Sequence, residues 1–367
     1  MTRFLWLIFT SLLLLGPGCQ TANPMTSYLP TNPKIEWHGR YNRYSPDEYN
    51  LIGSASSLKF RFKGDKCIIW LSSLVAPQQE YGHHVSWVLD DVHYKMTPIN
   101  SRESAPFEIP VPTNKEFHDL EIFKESETSC GFVRIGKIEV EELLVLPIQA
   151  KKKIEFIGNS ITAGMSADPS IIPCGEGGPC DQHNAYESYG ATVARTLNMD
   201  FVITAVSGIG VYRNFSANFP VMSDVYENTL LTAHELDTKW DFTSFIPDIV
   251  CINLGTNDFS DGGGLVTRDA FDSTQFINKY IALLEIINKH YPLAKIVLLQ
   301  HDMSGTHNVD VFSKCLLSVK QTFQKIKPGL QIEIFAFSPS TATGCLGHPG
   351  LDEHKRMAEE LSEFLRR

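Results

Sequence analysis

The chain has 367 residues, with 42 acidic against 32 basic side chains and a net charge of −10. That length suggests two domains, and 43% hydrophobic residues with 11% aromatics are enough for ordinary cores and not the mark of a disordered chain. The acidic balance argues against a nucleic-acid partner, which needs clustered Lys and Arg, and leaves neutral partners open.

The N-terminus reads as an export signal. Arg3 supplies a small positive region and Phe4 to Leu15 an apolar run, shorter than the roughly 20 residues that span a bilayer. Gly16-Pro17-Gly18-Cys19 follows, and a cysteine so placed resembles the lipidation site of a bacterial lipoprotein, with Gly16 where an aliphatic residue is usual. Residues 1–19 are therefore expected to be a signal. Lipidation of Cys19 makes the product a periplasmic or cell-surface lipoprotein; without it the chain is secreted. Residues 20–33, rich in Pro, Thr, Ser and Asn, read as a tether. No later run is long or apolar enough for a membrane helix.

Residues 34–148 form short strand-like segments punctuated by Gly, Pro, Asp and Asn. Leu58-Lys59-Phe60-Arg61-Phe62 alternates, Cys67 to Leu71 is apolar, and Val85 to Leu89 runs into Asp90-Asp91. Phe107 to Ile109, His118 to Phe123 and Phe132 to Leu146 continue the series. Strands at such spacing predict an antiparallel sandwich or jelly roll.

The texture changes near Pro147. Over 149–367 strand-like runs (153–157, 200–205, 248–254, 294–299, 331–336) alternate with helical patterns, which predicts a parallel sheet covered by helices on both faces. Tyr189, Val193 and Leu197 give one helix face, Phe276, Tyr280, Leu283, Leu284 and Ile287 another, and Met357, Leu361 and Phe364-Leu365 a last one from about Asp352.

Cys19 apart, seven cysteines remain, so no full disulfide framework is implied. Cys174 and Cys180 flank a Gly/Pro loop and are expected to close a short local bridge in an oxidising compartment. Cys67 and Cys251 lie in apolar runs and read as buried hydrophobes. No Cys/His spacing resembles a zinc site, so no metal is expected. His83-His84 and His183 read as surface or loop residues.

The chemistry gathers at the ends of the predicted elements. Lys153 to Ile157 ends at Gly158-Asn159, and Ser160 stands at the strand-to-helix turn, where open α/β sheets bind ligands. A serine there can simply cap a helix. As a nucleophile it needs a base and donors aimed at an oxyanion. Gly158-Asn159-Ser160-Ile161-Thr162, Ser207-Gly208-Ile209-Gly210, Gly255-Thr256-Asn257-Asp258 and Gly347-His348-Pro349 supply these in order. Asp258 reads as a structural hydrogen-bonder, and His354 as a packed or solvated helix residue rather than a rival base. Trp240 is either a cleft-lining aromatic or packing.

This set resembles the four blocks of the SGNH hydrolase superfamily, whose catalytic domain is an α/β/α sandwich of flavodoxin-like type. The resemblance implies Ser160 as nucleophile, His348 as general base, and an oxyanion hole from the N–H groups of Ser160 and Gly208 with the Asn257 amide. Upstream, His38-Gly39-Arg40, the predicted sandwich and Trp240-Asp241-Phe242 resemble carbohydrate esterase family 2, a jelly roll joined to an SGNH domain. Two departures stand out. Asn159 replaces the usual Asp before the serine, and Cys345 occupies the position three before the histidine that usually carries Asp. A Ser-His dyad is therefore expected, with a backbone carbonyl near Thr343 or Gly344 holding the imidazole.

What the resemblance implies is a serine esterase that removes O-acetyl groups from acetylated mannan, glucomannan, xylan or an oligosaccharide, the 6-O position favoured, with no cofactor. The alternatives are another SGNH esterase, lipase or thioesterase activity, or a non-catalytic glycan-binding lipoprotein. Oligomeric state is left open.

Overall fold

The computed structural model describes residues 24–75, 82–178, 180–234, 237–301 and 309–367. The expected signal over 1–19, with Cys19, lies outside them. Among the described residues no helix is long and apolar enough to cross a membrane.

Alternation over Ser57–Lys63 buries Leu58, Phe60 and Phe62 while Lys59 and Arg61 stay partly exposed, because successive side chains of a strand point to opposite faces. The same rule acts across two antiparallel sheets of six strands each. One runs in the order Tyr41–Ser45, Glu48–Leu51, Gly131–Val140, Lys66–Val75, Ala105–Pro110; the other runs Glu142–Leu144, Ser57–Lys63, Phe117–Lys124, His83–Leu89, Val92–Ile99. Their inner faces close on Phe60, Ile69, Leu71, Leu120 and Ile135, each such fully buried side chain worth about 1.5–3 kcal/mol. Two expectations fail here. Part of the tether is a strand, since Thr26–Tyr28 pairs antiparallel with Val140 to Ile138. His83 and His84 are buried within a strand, where His83 Nδ1 lies 2.8 Å from Ser126 Oγ.

All five expected parallel strands form: Lys153–Gly158, Asp200–Ala205, Ile249–Asn253, Lys295–Gln300 and Ile332–Ala336. They lie in the order second, first, third, fourth, fifth, the flavodoxin-like order with its switch point between the first and third strands. Helices Ser273–His290 and Val309–Ile326 cover one face, and Tyr189–Thr196 and Leu351–Leu365 the other. The apolar stripe expected on the first of these, Phe276 to Ile287, is fully buried.

The domains meet through buried polar groups. Arg40, fully buried, donates from Nε to Thr204 Oγ1 (3.2 Å) and from its terminal nitrogens to the carbonyls of Asn228 (2.8 Å) and Tyr226 (2.9 Å). Thr204 Oγ1 in turn donates to Glu155 (2.6 Å), in the first parallel strand, which also accepts from Tyr226 OH (3.0 Å). Burial lowers the Arg40 pKa and raises that of Glu155, and their mutual attraction opposes both shifts. A second junction is the segment from Lys124 to Cys130. Glu125 accepts from Ser86 Oγ and from Tyr186 N–H (2.9 Å), and its carbonyl from Ala185 N–H (3.1 Å). Lys124 Nζ donates to the carbonyls of Ser126 and Glu127 at 2.6 and 2.8 Å.

The cysteines overturn the local bridge. Cys174 pairs with Cys345 and Cys180 with Cys130. The loop that follows Ser160 lies between the Lys124 to Cys130 segment and the turn at Cys345, so its two cysteines face different neighbours and not each other. Cys67, Cys251 and Cys315 are free and buried.

Removing the Arg40 charge strands Glu155 in the interface. Arg40→Ala is expected to destabilise by about 3–5 kcal/mol, the range for breaking a buried charge pair. Glu155→Gln added to it should cost less than the sum of the single changes. Urea titration of the three variants checks this; additive losses would show that the two charges do not sense one another.

Candidate active site

Ser160 begins the short helix Ser160–Ala163, directly after the Lys153–Gly158 strand, and it does not cap that helix. Asn159 does, accepting the Ile161 N–H at 3.2 Å, while its amide donates to Thr256 Oγ1 at 2.7 Å. Asn159 thus ties the Ser160 turn to the loop after the third strand, across the switch point. His348 follows the 3₁₀ turn Cys345–Gly347 and places Nε2 2.9 Å from Ser160 Oγ. On the other side of the ring, Nδ1 lies 3.1 Å from the Leu346 carbonyl. The acceptor is thus a backbone carbonyl, but of Leu346 and not of Thr343 or Gly344. Leu346 reaches this position at φ +55°, a left-handed conformation that opposes a non-glycine residue by roughly 1–2 kcal/mol. Burial lowers the His348 pKa, and the carbonyls of Leu346 and Cys345 partly oppose it.

Gly208 has φ +76°, and a Cβ there would meet only Phe215 Cβ at 3.8 Å. Backbone conformation, not crowding, is what calls for glycine. The loop around Gly208 is held from two sides. Asp258, fully buried, accepts the N–H groups of Val211 (3.0 Å), Tyr212 (2.8 Å) and Arg213 (3.2 Å); desolvation raises its pKa to about 6. Its role is the structural one expected. From the sandwich side, Glu127 accepts the Ser207 N–H at 2.6 Å and Ser129 Oγ at 2.5 Å. Nothing in the sequence pointed to Glu127, because its partner lies 80 residues away in the other domain. Asn257 donates one amide hydrogen to the Ile209 carbonyl at 2.7 Å and keeps a second, since an amide carries two.

Three other sequence candidates lie away from this rim or in closed surroundings. Trp240 is packing: it is buried against Tyr41 and 5.2 Å from the Arg40 guanidinium. It lines a 260 Å³ cavity with Trp37, His38, Lys153 and Asp200, and Lys153 and Asp200 start their strands. That is the rim opposite Ser160. His354 is fully buried, accepts the Tyr189 N–H at 3.2 Å, and desolvation lowers its pKa to about 3. His183, expected in a loop, is 1% exposed. One of its ring nitrogens and the sulfurs of Cys130 and Cys180 lie within 4.8 Å of one another, the one grouping of metal-ligand type among the described residues. Two of its three members are joined as a disulfide.

Known proteins resemble this chain in sequence and fold. Residues 156–351 match the GDSL-like lipase/acylhydrolase family and residues 37–147 the carbohydrate esterase 2 N-terminal domain. The cellulase/esterase CelE of Acetivibrio thermocellus is 28% identical over 351 residues, covering 90% of this chain and 39% of that protein. An acetylxylan esterase/glucomannan deacetylase of Cellvibrio japonicus is 27% identical, with 98% of both chains covered. Among solved structures, a family two carbohydrate esterase from Clostridium thermocellum in complex with cellohexaose superimposes with a TM-score of 0.78 at 26% identity, covering 90% of this chain and 98% of that one. One from Cellvibrio japonicus has a TM-score of 0.80 at 22% identity over 94% of this chain and 97% of its own, a likeness of fold. The chain belongs to the GDSL-like lipase/acylhydrolase family, with a carbohydrate esterase 2 N-terminal domain joined ahead of its parallel-sheet domain.

Proposed function

We propose that this chain is an exported serine esterase that removes O-acetyl groups from a polysaccharide or oligosaccharide through an acetyl-enzyme on a Ser160-His348 dyad. The observation that carries the reading is the line Ser160 Oγ, His348 Nε2, His348 Nδ1, Leu346 O, with spacings of 2.9 and 3.1 Å across the ring. Ser160 Oγ attacks the acetyl carbonyl as Nε2 takes its proton. The carbonyl oxygen becomes an oxyanion facing the N–H groups of Ser160 and Gly208 and the remaining Asn257 amide hydrogen. Collapse breaks the ester bond, Nε2 returns the proton to the departing sugar hydroxyl, and acetate leaves after a water repeats the sequence on the acetyl-enzyme.

The Leu346 carbonyl answers the need that a carboxylate usually meets. It accepts Nδ1–H and so leaves Nε2 as the free base, and losing that tautomer costs roughly 10⁴ in rate. It brings a dipole and no full charge to the imidazolium.

The names of the relatives support an acetylated plant-type polysaccharide as substrate, and the cellohexaose complex of a structural neighbour supports a β-linked glycan chain. The preference for the 6-O position rests on the family resemblance. Export is supported by the apolar N-terminal run and by two disulfides, which persist in oxidising compartments. A lipid anchor at Cys19 belongs to the same proposal.

Acetate release from acetylated glucomannan and xylan tests the reading. Ser160→Ala and His348→Ala should each lower kcat by about 10⁴-fold or more, and Asn257→Ala by about 10²–10³-fold. NMR of the residual acetyl groups should show position 6 emptied first; a Ser160→Ala variant as fast as the parent would remove the nucleophile.

The base must be neutral to act, and burial lowers the His348 pKa from 6.5. The rise of kcat/KM with pH should therefore have its midpoint below 6.5, with activity lost on the acid side as Nε2 is protonated. Initial rates on an aryl acetate between pH about 4 and 8 check the sign; a midpoint above the ordinary histidine value would assign the limb to another group.

A further inference from the structure

The acceptor that orients His348 sits in a turn closed by two backbone hydrogen bonds, from Gly344 N–H to the His348 carbonyl (2.9 Å) and from His348 N–H to the Cys345 carbonyl (3.1 Å). Leu346 and Gly347 both have positive φ, +55° and +75°. The Leu346 side chain is 76% exposed, so its own packing does not stabilise the left-handed conformer. At the base of the loop, Glu353 accepts the N–H groups of Thr343 and Gly350, each at 3.0 Å. The turn as a whole is tied to a neighbouring loop through Cys345, which is 4% exposed and bound to that loop twice. Its N–H donates to the Ser166 carbonyl at 2.8 Å, and its sulfur is bonded to Cys174. Ser166 and Cys174 both belong to the loop that follows Ser160, and Met165 N–H returns to the Ser160 carbonyl at 3.0 Å. The path from Ser160 through Cys174, Cys345 and His348 back to Ser160 Oγ is closed.

We infer that the Cys174–Cys345 disulfide is a positioning element for His348, holding the turn that aims the Leu346 carbonyl at Nδ1. The inference rests on the Ser160-His348 reading above. The reason is one of strength. A hydrogen bond to a charged acceptor is roughly twice as strong as one to a neutral acceptor, and a carboxylate draws an imidazolium into place by its own attraction. A carbonyl does so weakly, so its position has to be fixed by the chain. The disulfide fixes it at the residue adjoining Leu346 and refers it to the nucleophile's own loop.

The test compares the full chain with Cys174→Ala/Cys345→Ala and Cys174→Ala/Cys345→Asp, reading Ser160 labelling by a fluorophosphonate, kcat and KM on an aryl acetate, and the pH profile. The double alanine variant should keep KM within about twofold and lose roughly 10²-fold in kcat and labelling rate, the scale of a 1 Å misplacement. The aspartate variant should regain most of that loss, with the acid limb moved to higher pH because a carboxylate beside the ring favours imidazolium. Parent chain that takes no label at Ser160 overturns the serine reading and this inference with it. A labelled parent with an equally reactive alanine variant overturns the inference alone. So does a slow alanine variant that aspartate neither restores nor shifts in pH, which would make the disulfide a support of the fold only. If the variants do not fold, the native chain is partly reduced with a trialkylphosphine and alkylated. Activity should fall in step with modification of Cys345, and a fall that follows Cys180 instead overturns the inference.

Discussion

A carboxylate in the middle of the strand that leads to Ser160 sets the terms on which the two domains meet. Glu155 is 2% exposed, and an ionised group in such surroundings is tolerated only with hydrogen bonds and an opposite charge nearby. Thr204 and Tyr226 supply the first, and Arg40 from the sandwich supplies the second through the Thr204 hydroxyl. Arg40 is equally buried and equally dependent. The sandwich cannot slide on the parallel sheet without leaving one charge without its partner, so the strand that leads to Ser160 has a fixed reference in the other domain.

The same logic recurs at the reacting end. Glu127 holds the Ser207 N–H, Asp258 holds the three N–H groups beyond Gly210, and Asn159 holds Thr256. Each is a buried acceptor or donor whose partner lies in a different element, and each loses heavily if that partner moves. The loop around Gly208 is thereby clamped between a carboxylate of the sandwich and one of the parallel-sheet domain. Desolvation raises the pKa of both, while the N–H groups around them favour the charged form.

What could be read in the sequence was local chemistry at strand ends. Ser160, Gly208, Asn257 and His348 each follow a recognisable break in an apolar or helical run, and the sheet topology brings the breaks together without further information. The helix stripes were legible for a similar reason, since period 3.6 marks one face. Long-range pairing was not legible. Cys174 and Cys180 are close in sequence, but four paired cysteines allow three connectivities, and the fold selected one of the two that cross between loops. His83 and His84 looked like surface residues because polar side chains usually are; a strand closed against Ser126 and Asp181 makes them interior. Trp240 sat near a family motif, and no local signal told which end of the sheet it faces.

The segment from Lys124 to Cys130 bears on how such a protein can be inherited. Within a few residues it holds Ala185 and Tyr186 through Glu125, Leu230 through Thr128, Ser207 through Glu127 and the nucleophile's loop through Cys130. A breakpoint between the two domains would strip the Gly208 loop of one of its two carboxylates and a disulfide of one of its sulfurs. The match to a larger cellulase/esterase spans both domains together, covering 90% of this chain and 39% of that protein, and a foreign sandwich would have to replace each of these contacts. What a transfer into another polypeptide must keep together is the two-domain body, because the seam is built from bonds that neither half can make alone.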